Sequence, residues 1–388
     1  VSLADLLAVE TAKARTAKPD PVGDLGKLAD LLERNGISLD DIGRVSKVNV
    51  WQGFMKDDNG EAQIVDLAGV SFSPSWETGP QWPVIQPGPA VKLPKRNAPR
   101  PVSDGWRTAV ILPDIQVGYF RTADEGLEAI HDEAALSVAL SIVKAAKPDV
   151  VVLVGDNLDG AEFGKYRLSP AYQRTTQATI DRLTVFGFEL RAVAPDADIV
   201  WLAGNHEERL PNYLMDNAMA AFGLRKGAAP GSWPVMSIPS LCRLDESGID
   251  YRTGYPASSY WINQRLRVIH GNKVASGGST AHKYLATEKT SVIYGHVHRR
   301  EWAERTREDH DGPKTILAAS PGCLARTDGA VPSTKGGVDL DGRPLTCHED
   351  WQQGVAVVMF EPGDGRFVYE QVPIHDGFAM WRGREFVA

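Results

Sequence analysis

The sequence predicts an α/β fold. From Arg107 onward, apolar runs rich in β-branched residues alternate with longer helical stretches. Most of the early runs also end abruptly in polar residues, the usual way such a sheet builds a site at its strand ends. The residues before Arg107 follow a different pattern and form a separate appendage.

The appendage reads as α+β over residues 1–75. Residues 3–17 are rich in Ala and Leu and predict a helix. A second helix runs from about Asp24 to Arg34, with Leu25, Leu28, Leu31 and Leu32 on one face and Asn35-Gly36 closing it. Ser38-Leu39-Asp40-Asp41 reads as the cap of a short third helix. Val45 to Met55 and Glu61 to Phe72 flank Asp57-Asp58-Asn59-Gly60, a hairpin signal. Residues 76–105 follow as an extended linker. Prolines from Pro80 to Pro101 are too dense for a helix or a central strand. Trp76 and Trp82 are expected to pin part of this region to a folded surface, and Lys92, Lys95, Arg96 and Arg100 make its end basic.

Residues 106–388 form the main domain. Thr108–Leu112 is a buried strand, and a helix from about Glu125 to Ala146 ends at Lys147-Pro148. Val150–Val154 is the next strand, 171–193 a long helical stretch, and Ile199–Ala203 a third strand. Further strands are expected at Leu266–Ile269, Ser291–Tyr294, Thr315–Ala319 and Val355–Phe360. The Gly- and Pro-rich stretch from Gly322 to Trp351 reads as a long loop, either lining a site or running over the surface.

Composition narrows the function. The apolar share of 43% is ordinary for a globular chain of 388 residues. No apolar run is long enough for a membrane helix, and Val1-Ser2-Leu3-Ala4-Asp5 does not read as a secretory signal. Cys242, Cys323 and Cys347 are far apart, which suggests a reduced, cytoplasmic setting and neither a disulfide framework nor a thiolate zinc site. The net charge of −8 argues against a broad nucleic-acid footprint, though bound cations would make a local one.

The chemistry lies in five blocks: Asp114-Ile115-Gln116, Gly155-Asp156-Asn157-Leu158-Asp159, Gly204-Asn205-His206-Glu207, His270-Gly271 and Gly295-His296-Val297-His298. They supply oxygen and nitrogen ligands of the kind that hold two divalent cations. In this order, over roughly residues 107–322, they resemble the calcineurin-like metallophosphoesterase superfamily. The resemblance implies two β-sheets packed together and flanked by helices, and metal-dependent hydrolysis of phosphomonoesters or phosphodiesters. It implies that Asp114, Asp156 and His298 hold a first metal. Asp156, Asn205, His270 and His296 hold a second, with Asp156 bridging. Two carboxylates against two divalent ions leave about +2, which draws an anionic phosphate. A water bridging the metals becomes the in-line nucleophile. His206 then faces the scissile phosphate, donating a proton or stabilising charge, with Asp159 to orient it. Arg209 either reaches the phosphate or makes a salt bridge.

Gln116 departs from the family pattern, which has histidine there. A neutral amide oxygen is a poorer ligand than imidazole for zinc or iron. Either it ligates, or it holds a water, or the first site fills only at high metal. Each outcome favours harder, exchangeable ions, Mn²⁺ first, with Zn²⁺, Fe²⁺, Mg²⁺ and Ni²⁺ as alternatives. His131, His310, His348 and His375 match no block and read as solvated, and His282 as structural or surface. Arg299 and Arg300 either face a substrate or form a basic surface turn.

The Gly204–Arg209 and Trp351–Gly354 runs and the appendage look similar to bacteriophage and actinobacterial members of the superfamily. Three functions are expected to compete. The first is a phosphodiesterase or phosphatase acting on a small or nucleotide substrate. The second is a DNA or RNA nuclease, with the appendage or linker guiding a strand. The third is a catalytically weakened binding protein.

Overall fold

The computed structural model describes residues 42–56, 62–74, 105–122, 126–165, 169–310, 312–332 and 349–388, the first two stretches by backbone alone. The chain divides into two units, Val1–Ala90 and Val91–Ala388. In the first, β1 (Ile42–Lys56) and β2 (Ala62–Pro74) pair antiparallel, with Val50 opposite Ala68. The helices expected over 3–17 and 24–34, the cap at Ser38–Asp41 and the linker over 76–104 lie outside the described residues.

The second unit begins with β3 (Arg107–Leu112), β4 (Tyr119–Arg121), β5 (Leu127–Ala129), α1 (Glu133–Ala146), β6 (Val150–Leu153), α2 (Thr176–Val193) and β7 (Asp198–Leu202). Next come α3 (Arg209–Asn217), α4 (Ile238–Leu241), α5 (Leu244–Ser247), β8 (Ile249–Arg252), β9 (Ser259–Asn263), β10 (Leu266–Ile269), α6 (Thr280–Thr287) and β11 (Ser291–Tyr294). The chain closes with β12 (Arg300–Asp309), β13 (Gly312–Pro321), β14 (Gly354–Phe360), β15 (Phe367–Pro373), β16 (Phe378–Trp381) and β17 (Arg384–Val387).

Two mixed sheets result, ordered β15-β14-β3-β6-β7-β8 and β12-β13-β11-β10-β9. The period of two along each strand divides its side chains between two cores. Ala109 and Ile111 of β3, Val150 and Val152 of β6, and Val200 and Leu202 of β7 meet Leu266, Val268 and Ile293 of the other sheet. Their neighbours Val110, Leu112, Val151, Leu153, Ile199 and Trp201 pack instead with Leu136, Ile142 and Val143 of α1 and Leu183, Phe186 and Leu190 of α2. On the second sheet, Val292, Tyr294, Ile316 and Ala318 meet Ala281, Tyr284 and Leu285 of α6. Both sheets are therefore apolar on two faces, and each carries helices on its outer one. That is why β6 reads as an unbroken Val-Val-Val-Leu run and not as an alternation.

Two helix starts differ from the sequence expectation. α1 begins at Glu133, not near 125, because Asp132 takes an extended backbone and its carboxylate accepts the Ala135 N–H at 3.0 Å. Leu127–Ala129 pairs with β4 instead. The stretch expected as helix from 171 opens with a 3₁₀ turn at Pro170–Tyr172, and α2 starts at Thr176. The Glu162 carboxylate accepts the N–H groups of Arg174, Thr175 and Thr176 at 2.7, 3.0 and 2.9 Å, satisfying donors at the helix entry.

Arg191 joins the helical layer to the sheet edge. It is buried and donates to the carbonyls of Ser247, Ala194, Ala197 and Gly248 at 2.9, 3.2, 2.7 and 2.8 Å. These carbonyls lie at the ends of α2 and α5, where a cation is favoured. Replacing Arg191 by Met leaves four buried acceptors without their donor. Urea unfolding of Arg191→Met is expected to show a loss on the order of 3 kcal/mol; an unchanged midpoint would mean that water replaces the guanidinium at no cost.

Candidate metal centre

The parallel strands β3, β6, β7, β10 and β11 all end at the same pole, and each delivers one block there. Five of the polar residues just past these ends take left-handed backbone: Asp114, Gln116, Asp156, His296 and His298 have φ of 33°, 54°, 50°, 69° and 55°. That conformation costs about 1–3 kcal/mol for a side-chain-bearing residue and persists only where the surroundings hold it. Here they do. Gln116 N–H donates to the Asp156 carbonyl at 2.9 Å, Leu324 N–H to the Asp114 carbonyl at 3.1 Å, and His296 N–H to Asp114 Oδ1 at 2.9 Å. Two glycines allow the close approach. A Cβ on Gly204 would collide with Asp156 Oδ1 and stand 2.9 Å from His270 Cε1, and one on Gly295 would collide with Asp114 Oδ2.

The result is two groups of ligand-type atoms that share one residue. Asp114, Asp156 and His298 form one group and Asp156, His270 and His296 the other, with the atoms of each group within 4.8 Å of one another. His298 Nε2 is 3.2 Å from Asp114 Oδ1, and His270 Nε2 is 3.3 Å from Asp156 Oδ2 and 3.1 Å from Asn205 Oδ1. Gln116 reaches the same carboxylate, its Nε2 3.5 Å from Asp156 Oδ2. Asp114 Oδ2 and Gln116 Oε1 are buried without a hydrogen-bond partner. Buried oxygens left unpaired are costly. Their place among imidazoles suits the donor set to a cation.

His206 sits against Asp156, its Nε2 3.6 Å from Oδ2. Nδ1 lies 2.8 Å from the Asp159 carbonyl, which fixes the proton on Nδ1. Asp159 therefore orients the ring chiefly through its main chain; its carboxylate is 3.6 Å away. Arg209 donates to the same carbonyl at 2.7 Å and to His206 Nε2 at 3.0 Å. Burial, with Arg209 adding to it, holds the His206 pKa below its usual value. The imidazole is thus neutral, with its free lone pair taken by Arg209.

The residue that the sequence reading passed over is Glu207. Its buried carboxylate accepts the N–H groups of Asp156, Asn157 and Gly204 at 2.8, 2.9 and 2.7 Å and the Trp201 indole N–H at 3.1 Å. The signal was present in the sequence as a Glu directly after His206. Burial, then the charge of Asp156, pushes Glu207 up to about 7, against the pull of these donors. Burial also opposes charge on Asp156, but His206 and His270 hold it far below the usual carboxylate range. For His270, burial opposes charge, and the neighbouring Asp156 carries the pKa up to about 9. Burial and the charge on His270 push His296 down to about 4.

The remaining expectations sort as follows. His282, His310 and His375 are exposed, and His348 lies outside the described residues. His131 is not solvated: it is buried, with Nδ1 3.1 Å from the Gly118 carbonyl and Nε2 2.8 Å from Glu133, and Tyr119 of β4 packs edge-on against its ring at 5.2 Å. Arg299 and Arg300 do not form a surface turn. Arg299 donates to the Ala275 carbonyl at 2.6 Å, and Arg300 opens β12. Of the expected loop, 333–348 lie outside the described residues. Its end returns to the centre, where the Trp351 ring packs edge-on against His298 at 4.1 Å. Tyr255 faces His270 in the same way at 5.6 Å.

No curated protein matches the chain, and the expected kinship with bacteriophage and actinobacterial members finds no support. Among solved structures it is similar to YfcE, a phosphoesterase from E. coli, with 12% identity and a TM-score of 0.26 over 68% of this chain and 98% of that one. The model of the calcineurin-like phosphoesterase family matches residues 109–300, the segment that carries every ligand block. Residues 109–300, with their buried Asp and His clusters suited to metal, are thus similar to the calcineurin-like phosphoesterases.

Proposed function

We propose that the protein hydrolyses phosphodiester or phosphomonoester bonds of a small or nucleotide substrate at a centre of two divalent metal ions. The observation that carries this reading is the sharing of Asp156 between two groups of ligand atoms, each within 4.8 Å. Asp114, Gln116, Asp156 and His298 would hold one ion. Asp156, Asn205, His270 and His296 would hold the other. When bound, the ions supply positive charge to a phosphoryl oxygen and acidity to a water. Gln116 is placed in the first set because its Oε1 is buried and unpaired while its Nε2 reaches Asp156 Oδ2. With an amide oxygen in place of an imidazole, that set favours harder ions, Mn²⁺ first.

The chain's own groups do the rest. Asp114 and Asp156 contribute two negative charges against four positive ones, which leaves the centre attractive to an anion. The Asp159 carbonyl holds His206 by Nδ1–H, so only Nε2 can carry a proton to or from a substrate oxygen. Arg209 occupies Nε2. Its guanidinium turning to a phosphate oxygen would free that nitrogen and neutralise the phosphate in one movement. Trp351 lies edge-on against His298 and Tyr255 against His270, one aromatic ring beside each group of ligand atoms.

The test is turnover of bis(p-nitrophenyl) phosphate and p-nitrophenyl phosphate with Mn²⁺. Chelation, Asp156→Asn or His206→Ala is expected to lower the rate by orders of magnitude, with circular dichroism unchanged. Normal turnover in either variant would sink the assignment. Gln116→His is expected to tighten the weaker of two Mn²⁺ binding steps in calorimetry about tenfold or more; an unchanged isotherm would place Gln116 outside the ligand set.

A further inference from the structure

From Arg209, against His206, α3 leads away from the centre into the stretch 218–237. This stretch contains no carboxylate and has Arg225 and Lys226 side by side, in a chain of net charge −8. Large apolar side chains stand open along it: Met219 is 65% exposed, Leu224 53%, Phe222 42% and Trp233 38%, and Tyr213 on α3 is 40% exposed. The surface is built, not frayed. Phe222 N–H donates to the Met219 carbonyl at 3.1 Å, Val235 N–H to Leu224 at 2.8 Å and Ser232 N–H to Ala229 at 3.0 Å, while the Arg225 guanidinium holds the Ser232 carbonyl. Two of the exposed rings are pinned by their neighbours. Phe163 meets Tyr213 at 5.5 Å and 61°, and Tyr251 meets Trp233 at 6.0 Å and 89°.

We propose that Tyr213, Phe222 and Trp233 with Arg225 and Lys226 form a stacking platform for a single-stranded polynucleotide whose scissile phosphate sits at the metal centre. The proposal rests on the phosphoesterase reading and names its substrate class. Part-open rings, two of them held by neighbouring rings, are stacking surfaces for bases, which all present a π face. Side chains that insert into a lipid surface need no such pinning. The two cations match phosphates. The carboxylate whose pKa Lys226 lowers, Glu246, is already paired with Arg243. The nine residues of α3 span ~13 Å, about four stacked steps of ~3.4 Å, so a strand longer than about four nucleotides would reach from centre to platform.

The experiment compares the full chain in Mn²⁺ with a Phe222→Ser, Lys226→Glu double variant. Binding is read by anisotropy of a labelled phosphorothioate oligothymidylate, which resists cleavage, and catalysis by bis(p-nitrophenyl) phosphate. The expected result is binding at least about tenfold weaker in the variant, a shallower salt dependence, and an unchanged diester rate. Equal affinity of both proteins for the oligonucleotide would overturn the platform. Variant-sensitive binding to phosphatidylserine vesicles without oligonucleotide binding would also overturn it, in favour of a lipid surface. So would a variant-sensitive dimer in sedimentation without oligonucleotide binding, in favour of a second copy. Oligonucleotide binding that the variant weakens, with no diester turnover by either protein, would keep the platform and remove the hydrolase reading.

Discussion

Four N–H donors from two loops and one strand converge on the carboxylate of Glu207. Without it, Asp156 and Asn157 after β6, Gly204 after β7 and the Trp201 indole would each keep a buried donor unpaired, at about 1–3 kcal/mol apiece. With it, the turn that carries Asp156 is locked to the turn that carries Asn205 and His206. His206 N–H then donates to Asp156 Oδ1 at 2.8 Å and closes the loop from the other side. The position of Asp156 is set by hydrogen bonds to main chain, which leaves one of its oxygens facing His270, His206 and Gln116.

The same economy runs through the rest of the pole. Left-handed backbone at Asp114, Gln116, Asp156, His296 and His298 turns side chains inward where a continuing strand would send them to alternate faces. Asp114 Oδ1 takes the His296 N–H, so one carboxylate both belongs to a ligand group and supports the turn that carries two histidines. Glycine at 204 and 295 is required by nearness, since any side chain there would occupy the place of a carboxylate oxygen. Stability is given up locally and recovered in the two double-faced sheets beneath, where each fully buried Val, Leu or Ile contributes roughly 1.5–3 kcal/mol.

Electrostatics then divides the site. Asp114 and Asp156 are buried amid histidines, and among the described residues their ion partners are histidines, with no lysine or arginine. Arg209 instead stands with Asp159, its Nη1 3.7 Å from Oδ2. Under the proposed function, cationic help for a substrate would come from the His206–Arg209 side, and the carboxylate side would serve the ions.

The layers and the inventory of polar blocks are legible in the chain alone. Runs such as Val150–Leu153 can only be buried strands, and polar blocks after five such runs must gather at one pole once the strands lie parallel. Sequence also gave the oddity of Gln116 and the hairpin of β1 and β2. The rest depends on contacts between segments far apart in the chain. Glu207 looks like any acid after a histidine until three loop amides and an indole are folded onto it. His131 looks solvated until the Tyr119 ring and the Gly118 carbonyl meet it. The start of α1 depended on Asp132 and on a short strand pairing that propensity cannot see. The open rings along 213–233 carry no mark of their exposure in the sequence, because exposure is fixed by what fails to pack against a side chain, and that is not written in its own neighbourhood of the chain.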